Sequence, residues 1–334
     1  EGGTWLGTVR KGYEAAQFQL LQAQEKALGE RALALAPTLS RRPKGALVIR
    51  HAAVFDAEAR SLRRGWSVVV DGDRIAAAGP DAKVRAPAGA EILDAKGATL
   101  LPGLWDMHVH ITSQSDGVLD LMAGVTTVRD MGDDMETLAR LAARFDRGEL
   151  NGPHILKAGL IDGAGPFQGP TKVLVSTPKE MRAAVKMFAD AGYPQVKLYS
   201  SVRPELVPVA VAAAHARGLR VSGHVPAGMT MRQAVEAGYD EVQHANFWLL
   251  NFMSPEIVAR TNTPTRFSDA YIHGREIDLS SPEVRDFIAL LAARHTVVDP
   301  TLVTFEQMFT GTRGVQVKAY QPYADRLPPG MLRG

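Results

Sequence analysis

The texture of hydrophobic and polar positions changes three times along the chain. Residues 13–36 (YEAAQFQLLQAQEKALGERALALA) are rich in Ala, Leu, Gln and Glu and free of proline, which predicts a helix ended by Pro37 and the basic Arg41, Arg42, Pro43 stretch. From Ala46 come short β-branched runs, ALVIRHAAVFDA, WSVVVDGDRIAAAG with an Asp71-Gly72 turn, and AEILDAKGATLLPG. Beyond Pro102-Gly103, apolar strands alternate with Ala-rich helical stretches, the signature of βα units around a parallel sheet. The expected division is an N-terminal helical extension over 1–45, a small β module over 46–101, and a (β/α) barrel over 102–334.

Strands are expected at Leu104–His110, Val125–Asp130, His154–Gly159, Gln195–Tyr199, Arg220–His224, Asp240–His244 and Thr296–Thr301. Helical spacing runs through Met135–Phe145, Pro178–Ala191, Pro204–Ala216, Thr230–Ala237 and Pro282–Arg294, several opening with a proline that suits the first turn. The fold class is therefore α/β: a TIM-like barrel, with the β module as a small β-sandwich and the helix ahead of it. The strand count falls one short of the eight that close such a barrel, so the eighth is expected to be missing or supplied by a separate segment.

Composition narrows the chemistry. With 334 residues, 46% of them hydrophobic, the chain accommodates one barrel of roughly 250 residues and an appendage. The 38 basic residues nearly balance 36 acidic ones without forming a run that would track phosphates, so nucleic acid is not an expected partner. No stretch approaches the ~18 apolar residues of a membrane span. The N-terminus lacks signal-peptide texture, and the absence of cysteine leans only slightly towards a periplasmic or secreted protein over a cytoplasmic one. That same absence excludes disulfides and a thiol nucleophile, so any metal must be held by His, carboxylate or modified Lys.

Positions i and i+2 of a strand share a face, so His108 and His110 in LWDMHVHI project into one space at the strand's C-terminal end, where barrel enzymes build their sites. A lone His-x-His pair also arises by chance or as a buried, hydrogen-bonded imidazole. Here Lys197 (QVKLYSS), His224 (VSGHVPAG) and His244 (EVQHANF) end three further strands, each about one βα unit from the next. Four strands thus aim polar side chains at one level.

In DMHVH after PGL, and in KLY, GHVPAG and QHANF, the chain resembles the amidohydrolase superfamily, in particular its Xaa-Pro dipeptidase and imidazolonepropionase-like branch. The resemblance runs from about Ala46 through the seventh strand and includes GVTTVRDMG and HARGLRVSGHVPAGM. A protonated lysine has no lone pair and repels a cation. The resemblance implies that Lys197 is carbamylated by carbon dioxide and bridges two divalent ions, one held by His108 and His110, the other by His224 and His244. Two ions roughly 3.5–4 Å apart can hold a bridging hydroxide and polarise a scissile carbonyl, so hydrolysis of a small amide, a dipeptide or an N-acyl amino acid, is implied. Imidazole and carboxylate ligands suit zinc, with manganese or iron as alternatives.

The family pattern also asks for an aspartate ending strand eight; Asp299 in strand seven and Asp325 in the tail are not expected to fill that place, and without it hydrolysis is expected to be poor. Tyr199 is expected to donate to a substrate carboxylate or to the developing oxyanion, though a tyrosine packed at the rim is the plainer reading. The Gly- and Pro-rich loop from Asp162 to Thr171 follows strand three and is expected to cover the substrate; where related dipeptidases often carry a histidine, it has Phe167 and Gln168. His154, His215 and His273 read as structural or solvated, and Arg129 and Asp130 as polar contacts of the barrel mouth. The alternatives are a mononuclear cyclic-amide hydrolase or deaminase of the same superfamily, and an inactive barrel used for binding; the N-terminal helix is expected to pack against a neighbouring subunit of a homo-oligomer or against an upstream domain.

Overall fold

A computed structural model describes residues 9–312, 315, 318 and 321–326. The first helix, α1 (Gln17–Leu39), runs past Pro37, because a proline in the last turn removes only one terminal hydrogen bond. Only Ala36 of α1 is buried; its carbonyl accepts from Asn151 Nδ2 at 3.1 Å, and Ala32 packs against a small core cluster that includes Ile111, Val128 and Leu138.

A five-stranded sheet follows, made of β1 (Leu47–Asp56), β2 (Ser61–Asp71), β3 (Arg74–Pro80), β4 (Glu91–Asp94) and β5 (Thr99–Leu100). Its order is β3-β2-β1-β4, with β5 pairing further along β1. The β2–β3 hairpin turns at Asp71-Gly72, where Gly72 takes the left-handed conformation the turn demands.

The remaining strands are β6 (Leu104–Val109), β7 (Val125–Asp130), β8 (His154–Ile161), β9 (Gln195–Leu198), β10 (Arg220–Gly223), β11 (Glu241–Gln243) and β12 (Val297–Asp299). They form one parallel seven-stranded sheet in chain order, a nearly closed barrel. Every expected strand is present to within a few residues. The intervening helices are α2 (Asp116–Met122), α3 (Met135–Asp146), α4 (Pro178–Asp190), α5 (Val207–His215), α6 (Met231–Glu236), α7 (Ala245–Leu250), α8 (Pro255–Val258), α9 (Thr265–His273), α10 (Pro282–Ala293) and α11 (Leu302–Thr310). Thr177 and Thr230 close capping boxes at α4 and α6, which fixes where those helices begin. None of the described helices is long and apolar enough to cross a membrane.

The largest core, including Val185, Phe188, Val196, Leu198, Val207 and Val221, lies between the sheet and helices α4 to α6. Among the described residues no ladder joins β6 to β12, and side chains cross that seam instead. Inside the barrel the Arg129 guanidinium of β7 donates to both oxygens of Glu241 on β11, through Nη1 at 2.7 Å and through Nη2, and its Nε donates to the Met107 carbonyl of β6 at 2.8 Å. Arg129 Nη1 also reaches Gln195 Oε1 at 3.4 Å, and Gln195 Nε2 donates to Ser222 Oγ at 3.1 Å. Alternate strands β7, β9 and β11 thus supply one polar layer, with Lys197 two residues above Gln195 on β9.

Candidate active site

The C-terminal mouth of the barrel collects the chemistry. His108 lies within β6 and His110 just beyond it, Lys197 within β9, and His224 and His244 directly after β10 and β11. The ring centroids form a chain, 5.7 Å from His110 to His108, 4.8 Å from His108 to His244 and 4.7 Å from His244 to His224. Gly223 makes this possible: with φ +145° it passes so close to β9 that a Cβ would lie 2.0 Å from the Leu198 carbonyl oxygen. Only glycine fits there, and the next residue is His224.

Three of the four imidazoles are hydrogen-bonded at Nδ1. Asp299 Oδ2 lies 2.8 Å from His108 Nδ1, Ser200 Oγ 3.0 Å from His224 Nδ1, and Thr301 Oγ1 2.9 Å from His244 Nδ1. Asp133 Oδ2 lies 3.7 Å from His110 Nδ1. With Nδ1 acting as donor in His108, His224 and His244, the lone pair of each of these rings sits on Nε2. Two of these residues depart from ordinary backbone: His244 has φ 73° and Thr301 φ 46°, and the same two share the hydrogen bond.

Burial keeps the rings of His108, His224 and His244 neutral. His108 is pushed down to about 2, by loss of water first and then by the charges of Lys197, His110 and Arg129. His224 and His244 are likewise held well below the ordinary imidazole value by burial and neighbouring positive charge. Lys197 is buried and has no carboxylate within 4.0 Å among the described residues; burial outweighs Asp130, Asp299 and Asp133 and brings its ammonium down to about 8. Neutral imidazoles beside a readily deprotonated lysine form a donor set that fits divalent cations. A second grouping sits beside the first: atoms of His110, Asp130 and Asp133 capable of ligation lie within 4.8 Å of one another. Asp130 accepts from the Ile111 and Gly132 amides, at 2.7 and 2.9 Å, which ties the end of β7 to the residue after His110. Asp133 sits below the usual carboxylate value because His110, Asp130 and Lys197 outweigh its burial.

His110, His224 and His244 open onto a cavity of about 330 Å³, lined also by Lys197, Tyr199, Asn246 and Arg266 on its polar side and by Leu160, Phe247, Phe267, Phe305 and Met308 on its apolar side. Tyr199 is buried and stacks on His224 with centroids 3.9 Å apart and 29° between planes. The 162–171 loop closes over it: Gly169 donates to Asp162 Oδ2 at 2.7 Å, and a Cβ on Gly169 would meet the Tyr199 ring at 2.8 Å. Pro170 of the same loop lines the cavity, whereas Phe167 is exposed.

Sequence reasoning set Asp299 aside and passed over Asn246 and Arg266. Asp299 does lie on the seventh strand, yet it reaches across the seam to His108. His154, His215 and His273 stand away from the mouth, each beside an acidic neighbour, Asp146, Asp240 and Glu276. Arg129 belongs to the barrel interior and not to its mouth. Asp325 is exposed in a short 3-10 stretch, Gln321–Arg326.

Substituting Asp299 by Asn tests its part directly. An amide accepts more weakly and presents a donor from its other face, so the His108 tautomer is no longer fixed. Affinity for zinc is expected to fall about 10- to 100-fold in a chelator competition, with the circular dichroism spectrum unchanged. Wild-type affinity in this variant would remove Asp299 from the site.

No protein-family model matches the chain. Adenine deaminase 3 of Rhizobium johnstonii (strain DSM 114642 / LMG 32736 / 3841) is 26% identical over 255 residues, which covers 64% of this chain and 40% of that protein. The chain spans less than half the length of the curated relatives it matches. A crystal structure of a candidate prolidase from Bifidobacterium longum superposes with a TM-score of 0.54 at 27% identity, over 61% of this chain and 55% of that one. A bottromycin amidohydrolase shares the fold with a TM-score of 0.61 at 21% identity, over 93% of this chain and 68% of that one. With a His-x-His pair on the first barrel strand, a lysine on the fourth and histidines ending the fifth and sixth, the chain belongs to the amidohydrolase superfamily.

Proposed function

We infer that the chain hydrolyses a small amide bond, that of a dipeptide or an N-acyl amino acid, with two divalent ions held by His108, His110, His224 and His244 and bridged by carbamylated Lys197. The observation that carries this reading is the cluster of four imidazoles, three of them hydrogen-bonded at Nδ1 and three lining one cavity, beside a buried lysine with no carboxylate within 4.0 Å among the described residues. Carbamylation consumes the neutral amine: the Lys197 nitrogen bonds to the carbon of carbon dioxide and releases a proton, leaving a carboxylate in place of a cation. When bound, the ions supply an activated water and polarise the carbonyl.

The chain's own groups do the rest. Asp299, Ser200 and Thr301 hold their rings so that no reorientation is needed on loading. The Tyr199 hydroxyl stands at the cavity wall, where it donates to an anionic oxygen of the substrate or to the oxygen that gains charge as the amide carbon becomes tetrahedral. The aromatic wall and the 162–171 loop exclude bulk water and strengthen these contacts.

A mononuclear deaminase or cyclic-amide hydrolase is the second reading, favoured by the adenine deaminases among the relatives. Elemental analysis of the purified chain separates the two. Two ions per chain, with a carbamate carbon resonance in the folded chain after labelling with isotopically enriched bicarbonate, are expected; one ion and no carbamate signal select the mononuclear reading.

A further inference from the structure

We propose that Arg266, together with Asn246, forms the carboxylate- and amide-reading subsite of this cavity, and that the aromatic wall beside them selects substrates whose carboxylate is carried next to an apolar side chain. The proposal rests on the hydrolytic reading above for its substrate class and goes further in assigning who reads the substrate and how.

Arg266 sits in α9, within the long excursion between β11 and β12, and lines the cavity. Its guanidinium packs on the face of Phe267, 4.7 Å from the centroid, and hydrogen-bonds Tyr199. Its charge is felt at both His224 and His244, so it stands close to the reacting centre. Other arginines of this chain show what pairing looks like here. Arg260 grips both oxygens of Asp269 at 2.9 Å, and Arg129 grips both of Glu241. Arg266 has no carboxylate within 4.0 Å among the described residues, although its fork is of the same kind. A planar guanidinium resting on an aromatic ring, with donors beyond the one that meets Tyr199, matches a carboxylate bidentately.

The second, independent observation is Asn246. It is 1% exposed, lines the same cavity, and has neither Oδ1 nor Nδ2 hydrogen-bonded. A buried amide left wholly unpaired is costly and rare in a folded protein. One donor and one acceptor together complement an amide group. The wall of Phe247, Phe267, Phe305 and Met308 adds apolar surface between these polar ends. This also answers for the loop histidine that related dipeptidases carry and this chain lacks: an arginine on a different element takes the anionic end.

Calorimetric titration of the zinc-loaded chain with non-hydrolysable probes tests the subsite. The probes are 3-phenylpropanoate, 3-phenylpropan-1-ol and acetate. The wild type is expected to bind the acid at least about tenfold tighter than the alcohol, and acetate much more weakly than either. Arg266→Met is expected to erase the preference for the acid and leave alcohol binding unchanged. Arg266→Lys, which keeps the charge and loses the fork, is expected to weaken acid binding severalfold. Equal binding of acid and alcohol by the wild type overturns the proposal, as does a preference that survives in Arg266→Met, since the acid would then sit on the metal. Undiminished acid binding in Arg266→Lys overturns recognition by the fork. A chain that prefers the acid but hydrolyses no N-acyl amino acid keeps this subsite and loses the hydrolytic reading; hydrolysis without the preference has the opposite meaning.

Discussion

Removing the Glu241 carboxylate is expected to destabilise the barrel by about 3–5 kcal/mol, because Glu241→Ala leaves the Arg129 guanidinium charged and largely unpaired inside it. Both side chains are almost wholly enclosed, at 8% and 2% exposure, so solvent cannot take over the lost contacts. Asp299 stands 3.5 Å from Arg129 Nη2 and offers partial compensation, at the expense of its hold on His108. Urea unfolding at constant pH measures the loss. The double variant Arg129→Met, Glu241→Leu removes both charges and is expected to recover most of the stability, since an apolar pair of similar volume avoids the desolvation cost. Equal destabilisation in the two variants would show that the ion pair is not what holds this part of the barrel.

The second large effect concerns Lys197. In Lys197→Ala the bridging carboxylate of the proposed site has no origin, so one or both ions are expected to be lost and turnover on an N-acyl amino acid to fall by roughly a thousandfold or more. Deletion of a buried side chain also leaves a void, so thermal unfolding must accompany the assay. Lys197→Glu provides the contrast: it supplies a carboxylate without carbon dioxide and is expected to regain part of the metal content. Retention of both ions and full turnover by Lys197→Ala would end the bridging role. The pH dependence has a definite sign. Carbon dioxide reacts with the free amine, whose fraction grows as pH rises through about 8, so reloading a stripped chain with zinc at a fixed concentration of dissolved carbon dioxide is expected to quicken over that range.

Much of this architecture is written locally. Strands such as Val125–Asp130 and His154–Ile161 are β-branched or apolar runs bounded by breakers, and Thr177 and Ser281 announce their helices by capping chemistry. His108, His110, Lys197, His224 and His244 were legible because strand ends repeat at the spacing of βα units. What escaped notice depends on tertiary meetings. Asp299 and His108 are separated by 191 residues, and nothing near either one signals the other. Asn246 and Arg266 lie in α7 and α9, short helices of an excursion whose polar and apolar residues follow no long period. Pro37 misled because it stops a helix in the interior but is tolerated near its end.

The left-handed backbone shared by His244 and Thr301 has a further consequence. A β-branched threonine and a histidine held at positive φ each cost on the order of 1–3 kcal/mol, a sum the surrounding barrel must sustain whether or not anything is bound. Having met that penalty during folding, the mouth need not freeze the His244 ring when a ligand arrives. It behaves as a stiff socket, and affinity there is governed by fit more than by the entropy of ordering.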